Sequence, residues 1–127
     1  MPEAVLDASA VLAYVRREQG WEAVEGLLAG SLLSAVNLAE VVTVLMRQGT
    51  DPVLARVVVD TLGCETVPVG FDLAFRAGTL EPETRALGLS LGDRSCLALA
   101  EREGVPAVTA DRAWSRLALP IGVTLIR

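Results

Sequence analysis

Short apolar runs of strand length recur along this chain with helical stretches between them, and no other feature limits the fold as strongly. The runs are AVLDA at 4–8, SLLSA at 31–35, TVPV at 66–69, PAVTA at 106–110 and GVTLI at 122–126. They are nearly continuous in hydrophobicity rather than alternating, the pattern of strands covered on both faces. Between them, residues 11–18, 21–30, 37–49, 51–63, 71–88 and 90–104 read as helices. The segment 51–63 opens with Asp51 at the cap and Pro52 at the first helical position and closes at Gly63, so its caps override the strand preference of Val57–Val59. The segment 71–88 is expected in two pieces, broken around Gly78 and Pro82. Strand–helix alternation of this kind predicts an α/β protein with a parallel sheet, and right-handed crossovers place helices on both of its faces.

Composition narrows the chemistry. A chain of 127 residues, 52% hydrophobic, has the material for one domain over 1–127 with a sizeable core. Aromatic residues are only 4%, so that core is built from Leu, Val, Ile and Ala. No apolar run approaches the ~20 residues of a membrane span, and MPEAVLD lacks the marks of a secretory signal, so a cytoplasmic protein is expected. Cys64 and Cys96 form no CxxC pair and read as core residues. There is no His, which excludes His-based acid–base catalysis, a Ser-His-Asp triad and His-ligated zinc. All eleven cationic side chains are Arg, which excludes a P-loop lysine and Schiff-base chemistry. A net charge of −5 argues against coating nucleic acid by bulk attraction, but not against a nuclease whose acidic pocket is neutralised by divalent cations.

In open parallel sheets, ligands bind beyond the carboxyl ends of the strands. Asp7 ends the first run, Asn37 and Glu40 follow the second, Asp93 sits in the first turn of the helix at 90–104, and Asp111 follows PAVTA. Each has an ordinary explanation. Asp7 can cap the helix that follows it. N37-L-A-E40 and S90-L-G-D93 both have capping-box spacing, and Asp111 can cap a single turn at Arg112–Trp114. Taken together, carboxylates gathered at one sheet edge repel one another, and burial adds to the cost. Such a cluster persists when something positive sits in it, which here means Arg or a metal. Oxygen-only ligands point to Mg²⁺ or Mn²⁺. Two rival chemistries lack a required part: a haloacid-dehalogenase-type phosphotransferase needs an acid where Ser9 stands, and a phospho-receiver domain needs a lysine.

AVLDASA, SAVNLAEV, LSLGDRSCLALA and TADRAW, in that order and spacing, resemble the PIN domain, and more narrowly the VapC-type ribonuclease toxins of bacterial toxin–antitoxin pairs. The resemblance runs from Val5 to the last strand. It implies a three-layer α/β/α fold with a parallel sheet of about five strands and an acidic pocket at the strand ends. By motif position Asp7, Glu40 and Asp93 match the family's core metal-binding acids and Asp111 its fourth. Ser9, Asn37 and Thr109 match positions that support those carboxylates. Some relatives carry a further acid shortly after the fourth; Ala113 and Trp114 occupy that stretch here, so the choice between one and two ions stays open. The implied activity is endoribonucleolytic phosphodiester hydrolysis with Mg²⁺ or Mn²⁺. The implied partners are RNA, a small VapB-like antitoxin and a second copy of the chain.

Arg94 and Arg112 each follow a pocket acid and are candidates for substrate phosphate, although neighbouring residues on a helix point in different directions, which favours local charge balance or solvation instead. Arg16 and Arg17 read as solvated, and Trp21 and Trp114 as packing residues rather than base-stacking ones. The alternatives to a toxin are a housekeeping RNA-processing nuclease with the same site and a non-catalytic partner-binding module whose acids are only caps.

Overall fold

The computed structural model describes every residue, Met1–Arg127. It contains strands β1 (Val5–Leu6), β2 (Leu32–Ser34), β3 (Glu65–Val67), β4 (Ala107–Thr109) and β5 (Val123–Leu125). The helices are α1 (Ala8–Arg16), α2 (Trp21–Glu25), α3 (Ala35–Arg47), α4 (Pro52–Thr61), α5 (Phe71–Thr79), α6 (Glu81–Thr84) and α7 (Leu91–Glu103), with 3-10 turns at Leu28–Gly30, Arg85–Leu87 and Arg112–Arg116. All strand pairs are parallel, in the order β3-β2-β1-β4-β5.

Side chains alternate along each inner strand and so define two cores. Leu6, Leu33 and Val108 pack with Val11, Leu12, Val24, Val41 and Leu45 of α1–α3 and with Ala55 of α4. Val5, Leu32 and Ala107 face the other way, onto Leu73 and Ala77 of α5, Leu97 and Leu99 of α7, and Trp114. The result is the expected three-layer α/β/α sandwich. In α7, Ser95 through Ala100 are all buried, which accounts for its strongly apolar middle. The edge strands β3 and β5 are three residues long and partly exposed, short enough to discourage pairing with another sheet.

Several boundaries differ from the sequence expectation, for local reasons. The first helix begins at Ala8 rather than 11, directly on leaving the sheet, with the Asp7 carbonyl accepting from the amides of Ala10 and Val11. The segment 21–30 is a short α2 followed by a 3-10 turn. The third helix starts at Ala35 because Ser34, not Asn37, is its cap: Ser34 Oγ accepts from the Asn37 amide at 3.1 Å. The capping box proposed for N37-L-A-E40 is therefore absent, and Asn37 is left free for another task. The helix at 71–88 is interrupted as expected, at Leu80 just ahead of Pro82. The helix at 51–63 is also as expected, with Asp51 Oδ1 accepting from Val53 N at 2.8 Å.

Candidate active site at the strand ends

The chain leaves β1 for β2 and β3 on one side, then crosses to β4 and β5 on the other, so the strand order reverses between β1 and β4. A crevice opens at such a reversal, beyond the carboxyl ends of the strands. Asp7 stands there. Its amide donates to the Val108 carbonyl at 2.8 Å, continuing the ladder one residue past β1.

The structure decides against a capping role for the Asp7 side chain. Although Asp7 occupies the position ahead of α1, its carboxylate makes no cap hydrogen bond. Instead Oδ2 accepts from Ser9 Oγ at 2.6 Å and from Thr109 Oγ1 at 3.0 Å. Both hydroxyls are oriented from behind, because the Ala110 amide donates to Ser9 Oγ and the Asp111 amide to Thr109 Oγ1. Main-chain N–H, hydroxyl and carboxylate thus form two chains that end on one oxygen of Asp7. The other oxygen, Oδ1, is buried and has no protein partner. Asp7 is only 3% exposed, and an unpartnered buried carboxylate oxygen carries a full desolvation cost. Burial accordingly pushes the Asp7 carboxyl up to about 6. Asp93 and Glu40 add repulsion, and the Ser9 and Thr109 hydrogen bonds pull the other way.

Glu40 reaches the site from the second turn of α3. Asn37, fully buried, donates through Nδ2 to Glu40 Oε1 at 2.9 Å and to the Gly92 carbonyl of α7 at 3.0 Å, while Ser34 Oγ donates to its Oδ1 at 2.6 Å. Burial raises the half-buried Glu40 carboxyl, opposed by the Asn37 hydrogen bond and reinforced by Asp93. Asp93 belongs to a complete capping box: Ser90 Oγ accepts from the Asp93 amide, and Asp93 Oδ2 accepts from the Ser90 amide at 2.8 Å. Its carboxyl is also raised, first by burial, with Asp111 repelling it and Ser90 and Arg94 easing it. Asp111 lies on the exposed rim, where Oδ1 caps the following turn through the Ala113 amide at 3.0 Å.

Asp93 and Glu40 thus act on Asp7, Asp93 acts on Glu40 and Asp111 acts on Asp93, with Asp7 deepest and Asp111 outermost. No three acidic or thiol side chains stand together as a ready-made metal cage. The donor set nevertheless suits a hard cation that retains its own waters: carboxylate oxygens only, one of them buried and unpartnered. Of the remaining candidates, Arg94 donates through Nη1 to the Ala77 carbonyl of α5 at 3.1 Å, which favours the structural reading of that residue. Arg112 is exposed on the rim beside Asp111 and makes no ion pair. Trp114 is 1% exposed and packs in the core. Trp21 stacks with Arg17, whose guanidinium lies 4.4 Å from its ring and 4.6 Å from that of Tyr14, so Arg17 is held rather than freely solvated. Cys64 and Cys96 are unpaired.

A model described as the PIN domain matches residues 4–119. The chain belongs to the PIN-domain family. Among solved structures, this PIN domain is similar to the DNA-bound VapBC complex from Salmonella typhimurium, with a TM-score of 0.77 at 17% identity over 100% of both chains. It is also similar to VapC20 of Mycobacterium tuberculosis, described as a Sarcin-Ricin loop cleaving toxin, with a TM-score of 0.73 at 19% identity, covering 92% of this chain and 96% of that one. A third is VapBC-5 of the same organism, with a TM-score of 0.64 at 25% identity over 100% of this chain and 99% of the other. No curated protein matches the sequence.

Two residues of this PIN site escape sequence reasoning. Ser34 is hidden by its place at the end of a strand, where it reads as part of the sheet. Gly92, whose carbonyl receives Asn37, is hidden inside a helix.

Proposed function

We propose that this PIN domain is a Mg²⁺- or Mn²⁺-dependent endoribonuclease and the toxin of a toxin–antitoxin pair. The observation that carries the proposal is Asp7: a carboxylate buried at the switch point, aligned by two hydroxyls on one oxygen and unpartnered on the other. A cap does not need that arrangement, and a cation site does. Asp7, Glu40 and Asp93 would hold the ion, directly or through water, with Asp111 contributing from the rim. A divalent ion bound there supplies an activated water nucleophile and offsets charge on the phosphoryl oxygens. The chain's own part is to hold three carboxylates, against their repulsion, in fixed directions. Ser9 and Thr109 fix Asp7, the Ser34–Asn37 pair fixes Glu40, and the capping box fixes Asp93. Arg112 is placed to meet a phosphate of the RNA at the rim.

The likeness to VapBC complexes and to a VapC toxin supports the narrower reading, a toxin with a small VapB-like antitoxin as partner; the proposal adds a homodimer as the assembly and the cytoplasm as the location. No helix is long and apolar enough to cross a membrane. The decisive experiment compares wild type with Asp7→Asn, following Mn²⁺ by thermal shift and RNA ends after brief induction. Wild type should be stabilised by Mn²⁺ and should cut RNA at defined positions, and the variant should fold but do neither. Equal cleavage by the variant, or no response to Mn²⁺ in wild type, would sink the nuclease reading. Growth arrest on expression, relieved by co-expression of a short open reading frame from directly upstream, separates a toxin from a housekeeping nuclease.

A further inference from the structure

Gly92 is the second residue of α7, between Leu91 and Asp93. A glycine in a helix forfeits backbone entropy, and alanine is the better helix former. Its φ is not positive, unlike those of Gly20, Gly49, Gly63, Gly88 and Gly104, so the backbone does not require glycine. Neither does a turn. What requires it is Glu40. A Cβ built on Gly92 would collide with Cδ and both carboxylate oxygens of Glu40, the three nearest atoms it would meet. Moving those atoms aside breaks a hydrogen bond, because Asn37 holds Glu40 Oε1 at 2.9 Å with one Nδ2 hydrogen and the Gly92 carbonyl at 3.0 Å with the other. Asn37 is itself clamped by Ser34. Helices from opposite faces of the sheet are thus bracketed at its carboxyl edge, and the Glu40 carboxylate fills the space that a side chain at 92 would take.

We propose that Gly92 is a positioning residue of the candidate metal site, its missing side chain being the slot that seats the Glu40 carboxylate beside Asp93. The proposal rests on the metal-dependent nuclease reading. It assigns Gly92 no contact with substrate: the residue acts through Glu40, and its carbonyl, through Asn37, sets the direction of the same carboxylate. Any larger residue at 92 drives Glu40 outward and strains the Asn37 bracket.

The test uses the full chain and the variants Gly92→Ala, Glu40→Asp, Glu40→Ala and their combinations, read by melting temperature in EDTA and by Mn²⁺ affinity from the resonance of free Mn²⁺. In EDTA, Gly92→Ala should lower the melting temperature when Glu40 is present. In the Glu40→Ala background it should leave the melting temperature unchanged or raise it, because the collision is gone and alanine favours the helix. Mn²⁺ affinity should fall by about 10–100-fold in Gly92→Ala, the range for loss of a group that orients a ligand. Glu40→Asp, shorter by one methylene, should make room for the new methyl group, so that adding Gly92→Ala to it causes little further loss. A residue of purely structural importance would not show that rescue. The inference is overturned if Gly92→Ala lowers the melting temperature equally in both backgrounds, or binds Mn²⁺ as wild type does. Failure of wild type itself to bind Mn²⁺ overturns the nuclease reading and with it the role given to Gly92.

Discussion

At the scale of single residues, Asp7 makes the sharpest prediction because its burial and hydrogen bonds act against each other. Its carboxyl titrates near 6 in the fold against 3.8 for an unperturbed aspartate. The folded chain therefore binds this proton more tightly than the unfolded chain does. The resulting contribution to stability is fully present below about pH 4 and is lost as pH rises through about 6. Two pH units correspond to on the order of 3 kcal/mol. Melting temperatures in EDTA should fall from pH 4 to pH 7 by more in wild type than in Asp7→Asn, which carries no charge to titrate. At pH 7 the variant should be at least as stable as wild type, with its amide oxygen accepting from Ser9 and Thr109. Mn²⁺ at pH 7 should reverse the order, stabilising wild type alone. Parallel pH profiles for the two proteins would refute this account of the residue.

At the scale of the element, the helix starts show how one side chain can serve fold and site together. Asp93 completes a capping box and faces Asp7 and Asp111, so its two expected roles are not alternatives. Ser90→Ala removes the acceptor for the Asp93 amide and should cost about 1 kcal/mol, a fall of about 3–6 °C in melting temperature for a domain of this size. Asp93→Asn should retain most of the cap and lose the cation response. Asn37 is different, because it caps nothing. Its removal leaves Ser34, Glu40 and the Gly92 carbonyl without their partner in a buried place, so Asn37→Ala should cost about 2–3 kcal/mol, more than Ser90→Ala. Urea unfolding of the two variants side by side checks the order, and a smaller loss for Asn37→Ala would remove the bracket from the argument.

At the scale of the whole molecule, a chain of net charge −5 with its acids gathered at one edge repels a polyanion, and its eleven arginines are largely committed elsewhere. Arg56, Arg76, Arg85 and Arg102 are paired with acids, Arg94 is tied to α5 and Arg17 is stacked on two aromatic rings. RNA binding should therefore depend on the divalent ion more than on phosphate contacts. With wild type and a short RNA whose 2′-hydroxyls and phosphates are modified to resist cleavage, affinity in Mn²⁺ should show a shallow salt slope, equivalent to about one or two phosphates, and should be lost in EDTA. A steep slope that persists in EDTA would mean a basic surface carries the binding instead.

Much of this was written in the order of residues. The apolar runs mark the strands, although only the inner three, β1, β2 and β4, are covered on both faces and the edge strands β3 and β5 are partly exposed; capping residues such as Asp51 and Ser90 mark helix starts whatever surrounds them, because these are local preferences of the chain. The motifs around Asp7, Glu40, Asp93 and Asp111 pointed to the PIN family for a related reason: Asp7, Glu40 and Asp111 follow strand ends by a few residues and Asp93 lies in the first turn of a capped helix, so each neighbourhood is visible in the linear text. What the sequence left open was every choice that depends on distant partners. Whether Asp7 caps α1 or turns to Thr109, 102 residues away, is decided by the β1–β4 pairing. Whether Asn37 caps a helix or ties α3 to Gly92, 55 residues on, is decided by how two helices from opposite layers meet at the sheet edge. Hydrogen bonds and collisions depend on separation in space, and only the tertiary structure brings those atoms within reach of one another.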